Sequence, residues 1–207
     1  MIEFAINTFI VLFVVIDPVG LAPIFGALTH GTNKTYRRRM AIQGILVSAV
    51  ILVVFTFAGK MLLNSLGISI EAFRFTGGFL LFLISIDMVF ARQSGLRSTT
   101  KSEQDEAQTL QDISVVPLAI PLVAGPGSMT TLILMYGEIG DEPVKITILL
   151  ATLLFTLLLT FFALIFSAKI MKLIGEIGAN VVSRLLGVLL AALAVQFMFD
   201  GIKSSFF

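Results

Sequence analysis

Six long apolar stretches in quick succession leave this chain very few folds. They run over about residues 4–28, 40–66, 72–91, 114–136, 144–167 and 183–199 of 207. A helix needs about 20 mostly apolar residues, with a range of about 17–25, to cross the roughly 30 Å hydrocarbon core of a bilayer. Continuous runs of this length argue for helices rather than barrel strands, which would alternate over about ten residues. Composition agrees: 57% of residues are hydrophobic, 13% are charged and the mean hydropathy is +1.02. A soluble domain carries about 25% charged residues, so a soluble enzyme, a disordered chain and a nucleic-acid binder are all excluded. The lipid bilayer is the partner implied, and a net charge of +1 suggests no strong electrostatic one.

The chain has no Cys and a single His, His30. Disulfides and thiolate metal sites are thereby removed, along with most triad chemistry, and no cofactor is expected. The first apolar stretch does not read as a cleaved signal peptide. Its first charge is Glu3 rather than a basic cluster, it is too long, and Asp17 stands in its middle.

Orientation follows from Lys and Arg in the short loops. Lys34, Arg37, Arg38, Arg39, Arg92, Arg97, Lys101, Lys169, Lys172 and Arg184 fall on one side, ten in all, against four on the other, Lys60, Arg74, Lys145 and Lys203. The richer side is expected to be cytoplasmic, with both termini on the outer, periplasmic side.

The two halves resemble each other. Pro18 aligns with Pro126 at an offset of 108; Arg74-Phe75-Thr76-Gly77 with Arg184-Leu185-Leu186-Gly187, and Ala58 with Ala168, at 110. Three spans per half is an odd number, so the second half must lie upside down relative to the first. The expected fold is an all-α membrane protein of six transmembrane helices, two inverted three-helix repeats with broken first and fourth helices. Residues 1–91 form the first repeat, 92–113 a cytoplasmic loop and 114–207 the second repeat. Inverted repeats are a signature of secondary transporters.

Asp17-Pro18-Val19-Gly20 sits near the midpoint of the first span, and Ala124-Gly125-Pro126-Gly127-Ser128 near that of the fourth. Proline removes a backbone donor and clashes with the preceding turn, and glycine admits the dihedrals a break needs. Breaks at matched depth in matched repeats point to a midplane binding site. Asp17 sharpens this, because an aspartate at the bilayer centre costs at least about 2.5–3.5 kcal/mol on insertion scales. It can cap a half-helix through the amides of Val19 or Gly20, bind a substrate ammonium, or carry a coupling proton. The candidate substrate-binding set is Asp17, Pro18, Gly20, Ala124, Gly125, Pro126, Gly127 and Ser128. Asp87, nearer the cytoplasmic end of the third span, reads as a solvated carboxylate close to Arg92, and Glu71 and Arg74 as a helix-surface pair.

The segment Ile16-Asp17-Pro18-Val19-Gly20-Leu21-Ala22-Pro23-Ile24-Phe25, with Pro121-Leu122-Val123-Ala124-Gly125-Pro126-Gly127, resembles the MarC family of bacterial six-span membrane proteins over essentially the whole chain. The resemblance implies an inner-membrane, multi-pass protein. A related member is regarded as a transporter of small neutral amino acids such as glycine and alanine. A zwitterion of that class needs a partner for its carboxylate, which half-helix N-termini near Gly20 and Gly127-Ser128 can offer. It needs another for its ammonium, which Asp17 or unwound carbonyls can offer.

The expected function is therefore secondary transport of a small neutral amino acid, with a proton or sodium ion as possible coupling partner. No phosphate-binding loop of the P-loop type appears, so the chain carries no ATPase of its own. An intramembrane aspartyl enzyme using Asp17 and Asp87 is disfavoured by their different depths. A passive channel or an accessory membrane protein is the alternative.

Overall fold

In a computed structural model, residues 1–90, 112–140 and 142–206 are described. Most of the expected 92–113 loop, Arg92 included, lies outside them. Every regular element among the described residues is helical: α1 (Ile2–Ile16), α2 (Pro18–Leu28), α3 (Lys34–Ser65), α4 (Ile70–Val89), α5 (Ser114–Val123), α6 (Pro126–Ile139), α7 (Pro143–Ile165) and α8 (Ser167–Phe206). Five of the resulting segments are long and apolar enough to cross a membrane, and six when α5 and α6 count as one bent span.

Local chemistry sets the ends. Asn33 accepts from the Tyr36 amide at 2.7 Å to start α3, and Ser69 accepts from Ala72 at 3.2 Å to start α4. Prolines open α2, α6 and α7, where the missing N–H is no loss. After α3, Gly67 takes φ +68, and the amides of Gly67 and Ile68 return to Asn64 and Leu63, a Schellman closure. A further break sits at Gly175 (φ 67, ψ 176) within α8, so the spanning part of that helix is Ile177–Ser205, longer than the 183–199 read from hydropathy.

Large apolar residues cover the outer face as well as filling the interior. Leu46, Val50, Val54 and Phe57 of α3 and Leu154, Phe155, Leu158 and Phe162 of α7 face outward. Hydroxyls and glycines turn inward, as expected where lipid supplies no hydrophobic drive between helices. Most extensive is the antiparallel contact of α4 with α8. There a Cβ at Gly78 would stand 2.7 Å from the Ala194 carbonyl oxygen, and one at Gly187 2.8 Å from the Met88 Cβ. Elsewhere α1 and α2 pack on α7, α2 also on α8, α3 on α5 and α6, and α6 on α4. Two apolar clusters result, one across α1–α3 and α5–α7, the other across α1, α4 and α8. Helix α1 belongs to both, through Leu12 and Ile16 on one side and Val14 and Val15 on the other, so the first break lies where the clusters meet.

Two polar ties join the halves. Arg37 donates to the Ser167 hydroxyl at 2.7 Å, and Arg74 pairs with Glu138 of α6 at 2.8 Å. The expected partner of Arg74 was Glu71 on its own helix. Glu138 takes that place because α4 and α6 pack side by side.

Candidate functional site at the two helix breaks

The first break is a single residue. Asp17 closes α1 and opens α2 in the left-handed region, φ 53 and ψ 67, a conformation that Asp and Asn visit more readily than other non-glycine residues. Its amide still donates to the Phe13 carbonyl and its carbonyl still accepts from Leu21, so the helix axis carries on as one 27-residue span. The carboxylate folds back to accept from the Gly20 amide at 2.9 Å and is only 3% exposed. This is the capping geometry the sequence allows. It also explains Gly20, since a Cβ there would stand 2.1 Å from Asp17 Oδ2. The expectation that the Gly20 amide serves a substrate carboxylate is not met in this conformation, because Asp17 already occupies it.

The second break is larger. Helices α5 and α6 meet at 55°, with Ala124 at φ −92, ψ 59 and Gly125 extended at φ −82, ψ 172. Before it, Val116 and Ile120 are also extended (φ −121, ψ 124 and φ −121, ψ 125). Each precedes a proline, whose Cδ disfavours the helical region for its neighbour. Wider turns close the segment, from the Leu118 amide to Ile113 and from Ala124 to Ala119. The sequence reading placed the break at Ala124–Ser128 and missed the loosening before it. The signal was present in the X-Pro steps at Pro117 and Pro121. The two breaks are therefore not equivalent in shape, although they occupy matching positions in the chain.

Ala124, Gly125, Gly127 and Ser128 are buried, Pro18 is buried and Gly20 partly so, while Pro126 is exposed. Ser128 donates its hydroxyl to the Val123 carbonyl at 2.8 Å, across the break. No side-chain acceptor caps α6, in contrast to α2. The breaks are brought together: a Cβ at Gly127 would stand 3.7 Å from Val15 Cγ1, two residues before Asp17, and 2.8 Å from Leu81 Cδ2. At Gly125 it would stand 2.4 Å from the Pro121 carbonyl oxygen. These glycines allow close approach of protein to protein, and neighbouring atoms fill the space beside them.

Asp87 Oδ2 on α4 is buried and has no hydrogen-bond partner among the described residues, and its expected neighbour Arg92 is outside them. At the start of α5, the Ser114 hydroxyl and amide both donate to Asp112 Oδ1. Those bonds, the hydroxyl's first, together with the charge of Arg39, hold the Asp112 carboxyl below the usual carboxylate range, against a smaller opposing effect of burial. Two clefts open elsewhere. One of about 540 Å³ lies between α3 and α6 by Lys60, Asn64 and Tyr136. The other, of about 460 Å³, lies between α1 and α7.

With this geometry in place, comparison with known proteins decides the family. The family described as "MarC family integral membrane protein" matches residues 2–206. The chain belongs to the MarC family. Among MarC-type relatives, a UPF0056 membrane protein of Archaeoglobus fulgidus is 35% identical over 201 residues, 97% of this chain and 93% of that protein. The UPF0056 inner membrane protein YhgN of Escherichia coli K12 is 34% identical over 198 residues, 96% and 95% of the two chains. A Methanocaldococcus jannaschii UPF0056 membrane protein is 34% identical over 204 residues, 99% and 98%. The similarity thus extends to archaea, beyond the bacterial range the resemblance implied. No solved structure matches. As a MarC family member the chain is a multi-pass integral membrane protein.

Proposed function

We propose that this protein is a six-span secondary transporter of small neutral amino acids, glycine- and alanine-like, with its binding site between the two helix breaks. The observation that carries the reading is Asp17. It is a carboxylate 3% exposed in a chain-wide apolar setting, held at a break, with the second break one side chain away. A buried charge of this kind is expensive and usually marks a solute or ion pathway. In this reading the uncapped N-terminus of α6, at Gly127 and Ser128, receives the substrate carboxylate. Asp17 leaves the Gly20 amide to meet the substrate ammonium or a coupling proton or sodium ion.

The inverted-repeat arrangement is part of the same proposal. It is supported by reciprocal packing: α1 and α2 on α7 answer α5 and α6 on α3, α2 on α8 answers α6 on α4, and α4 on α8 stands at the centre. The ten-to-four distribution of Lys and Arg supports an orientation with both termini outside. YhgN is named an inner membrane protein, and we assign this chain to the corresponding cytoplasmic membrane. The mechanism is binding and release, with no bond-making chemistry.

The test is uptake of labelled L-alanine and glycine into proteoliposomes holding the purified chain. The proposal expects saturable uptake, competed by unlabelled L-alanine more strongly than by D-alanine. Uptake linear in concentration would make the protein a passive channel, and none at all an accessory membrane protein.

A further inference from the structure

Most buried hydroxyls among the described residues are hydrogen-bonded, and six of them are satisfied in one way. Thr29, Ser48, Thr56, Thr152, Thr156 and Thr160 each donate to the carbonyl four residues back, at 2.6–2.9 Å. That is the usual way a helical Thr or Ser satisfies itself in an apolar setting. Thr8 on α1 and Thr131 on α6 are fully buried, at 0% exposure, and their hydroxyls have no hydrogen-bond partner among the described residues. Leaving a buried hydroxyl unpaired is costly, and each of the two has in its own helix the carbonyl four residues back that the six others use.

The two lie on one seam at one depth. Thr8 is seven residues before Val15, two turns along α1 and on the same face, and Val15 is the α1 residue beside Gly127. Thr131 is one turn beyond Gly127 on α6. Depth follows through α7. Thr131 is eight residues before the end of α6 at Ile139, and Thr152 is nine past the start of α7 at Pro143. At 1.5 Å per residue these are ~12 and ~14 Å below the shared short turn. Thr152 in turn lines one groove with Ala5, Ile6 and Phe9 of α1. Both residues therefore stand within about one turn of each other in depth, on the side of the breaks that holds the start of α1 and the end of α6.

We propose that Thr8 and Thr131 line the polar route between α1 and α6 by which a small hydrogen-bonding neutral solute reaches the breaks from the outer side. The proposal rests on the transporter reading for the solute and on the Lys/Arg distribution for the side. When the seam opens, the two hydroxyls are free to meet water or the polar head of the solute, because neither is committed to its own helix. Thr156, equally buried but bonded to Thr152 at 2.9 Å, is the internal control.

The chain has no cysteine, so accessibility can be read directly. Thr8→Cys, Thr131→Cys and Thr156→Cys are expressed in intact cells and treated with a membrane-impermeant, positively charged methanethiosulfonate reagent. The proposal expects Thr8→Cys and Thr131→Cys to react at least ten times faster than Thr156→Cys, and L-alanine to slow the reaction. Rates equal to that of Thr156→Cys would overturn it. A second pair, Thr8→Val and Thr131→Val, removes the hydroxyl at nearly constant shape. The proposal expects alanine uptake to fall at least tenfold while the unfolding temperature in detergent stays level or rises; unchanged uptake would overturn it. Wild-type uptake with inert thiols defeats this route alone. Absent wild-type uptake defeats the transporter reading, and labelling still reports whether the route exists.

Discussion

Gly20→Ala is the sharpest probe of how the first break is held. The added methyl would stand 2.1 Å from Asp17 Oδ2 and 2.8 Å from its Cγ, so the carboxylate must swing away and lose the 2.9 Å bond from the Gly20 amide. That bond is the N-cap itself, and losing a buried hydrogen bond to a charged group costs about 1.5–3 kcal/mol. Alanine returns about 1 kcal/mol through its higher helix propensity. The net expectation is destabilisation by about 1–2 kcal/mol. Asp17→Asn should behave differently. Asn is as good an N-cap as Asp and tolerates the left-handed φ of 53°. Its stability should stay within about 1 kcal/mol of wild type. Asp17→Ala loses the cap and also places alanine in the left-handed region, about 2–3 kcal/mol together. Reversible unfolding in mixed micelles, followed by far-UV circular dichroism, gives the order: wild type and Asp17→Asn, then Gly20→Ala, then Asp17→Ala. If Gly20→Ala is more stable than wild type, as propensity alone dictates, the carboxylate–amide clasp is not what holds the break.

Further outcomes follow from the same geometry. Cysteines introduced at Thr32 and Glu142, each in the loop after the first helix of its half, should label from opposite sides of the membrane; labelling from one side would remove the inverted repeat. Gly187→Ala meets the Met88 Cβ and the Val89 backbone nitrogen, whereas Gly127→Ala meets the ends of Leu81 and Ile84 side chains. The first should lower the unfolding free energy by about 1 kcal/mol more than the second, and equal losses would mean that the α4–α8 approach tolerates a methyl. Asp112, whose carboxyl is held low, contributes stability present above the ordinary carboxyl range and lost as pH falls through its lowered value. Asp112→Asn should therefore flatten the acid limb of an unfolding-temperature titration, and an unchanged limb would refute the assignment.

Much of the fold was legible because lipid imposes a single strong constraint. The apolar runs overlap every candidate span, and their ends agree with the helices to within about three residues except at the start of α3, six residues earlier than read, and at the last span. There, Gly175 breaks a helix that hydropathy cannot see into. The positions of both breaks were legible from Asp17-Pro18 and Gly125-Pro126, because a proline or glycine in a lipid-length helix has few other readings. Their shapes were not. Asp17 interrupts α1 without redirecting it, since its amide and carbonyl keep their helical bonds and its side chain takes the Gly20 amide. The α5–α6 break bends by 55° because Pro117 and Pro121 had already pushed Val116 and Ile120 out of the helix. Which hydroxyls lack partners was beyond the sequence altogether. Thr8 and Thr156 are the same residue in equally apolar runs, and only their rotamers and neighbours separate them. Arg74 found Glu138 rather than Glu71 for a similar reason, since pairing across helices depends on packing that a single helix does not encode.

The most direct test of transport through the breaks is counterflow with Asp17→Asn. Proteoliposomes preloaded with unlabelled L-alanine are diluted into labelled L-alanine, and internal label is followed with time. Wild type is expected to accumulate label transiently above equilibrium. Asp17→Asn, folded and of near wild-type stability, is expected to show none. A wild-type overshoot matched by Asp17→Asn would reduce Asp17 to a helix cap and contradict the site.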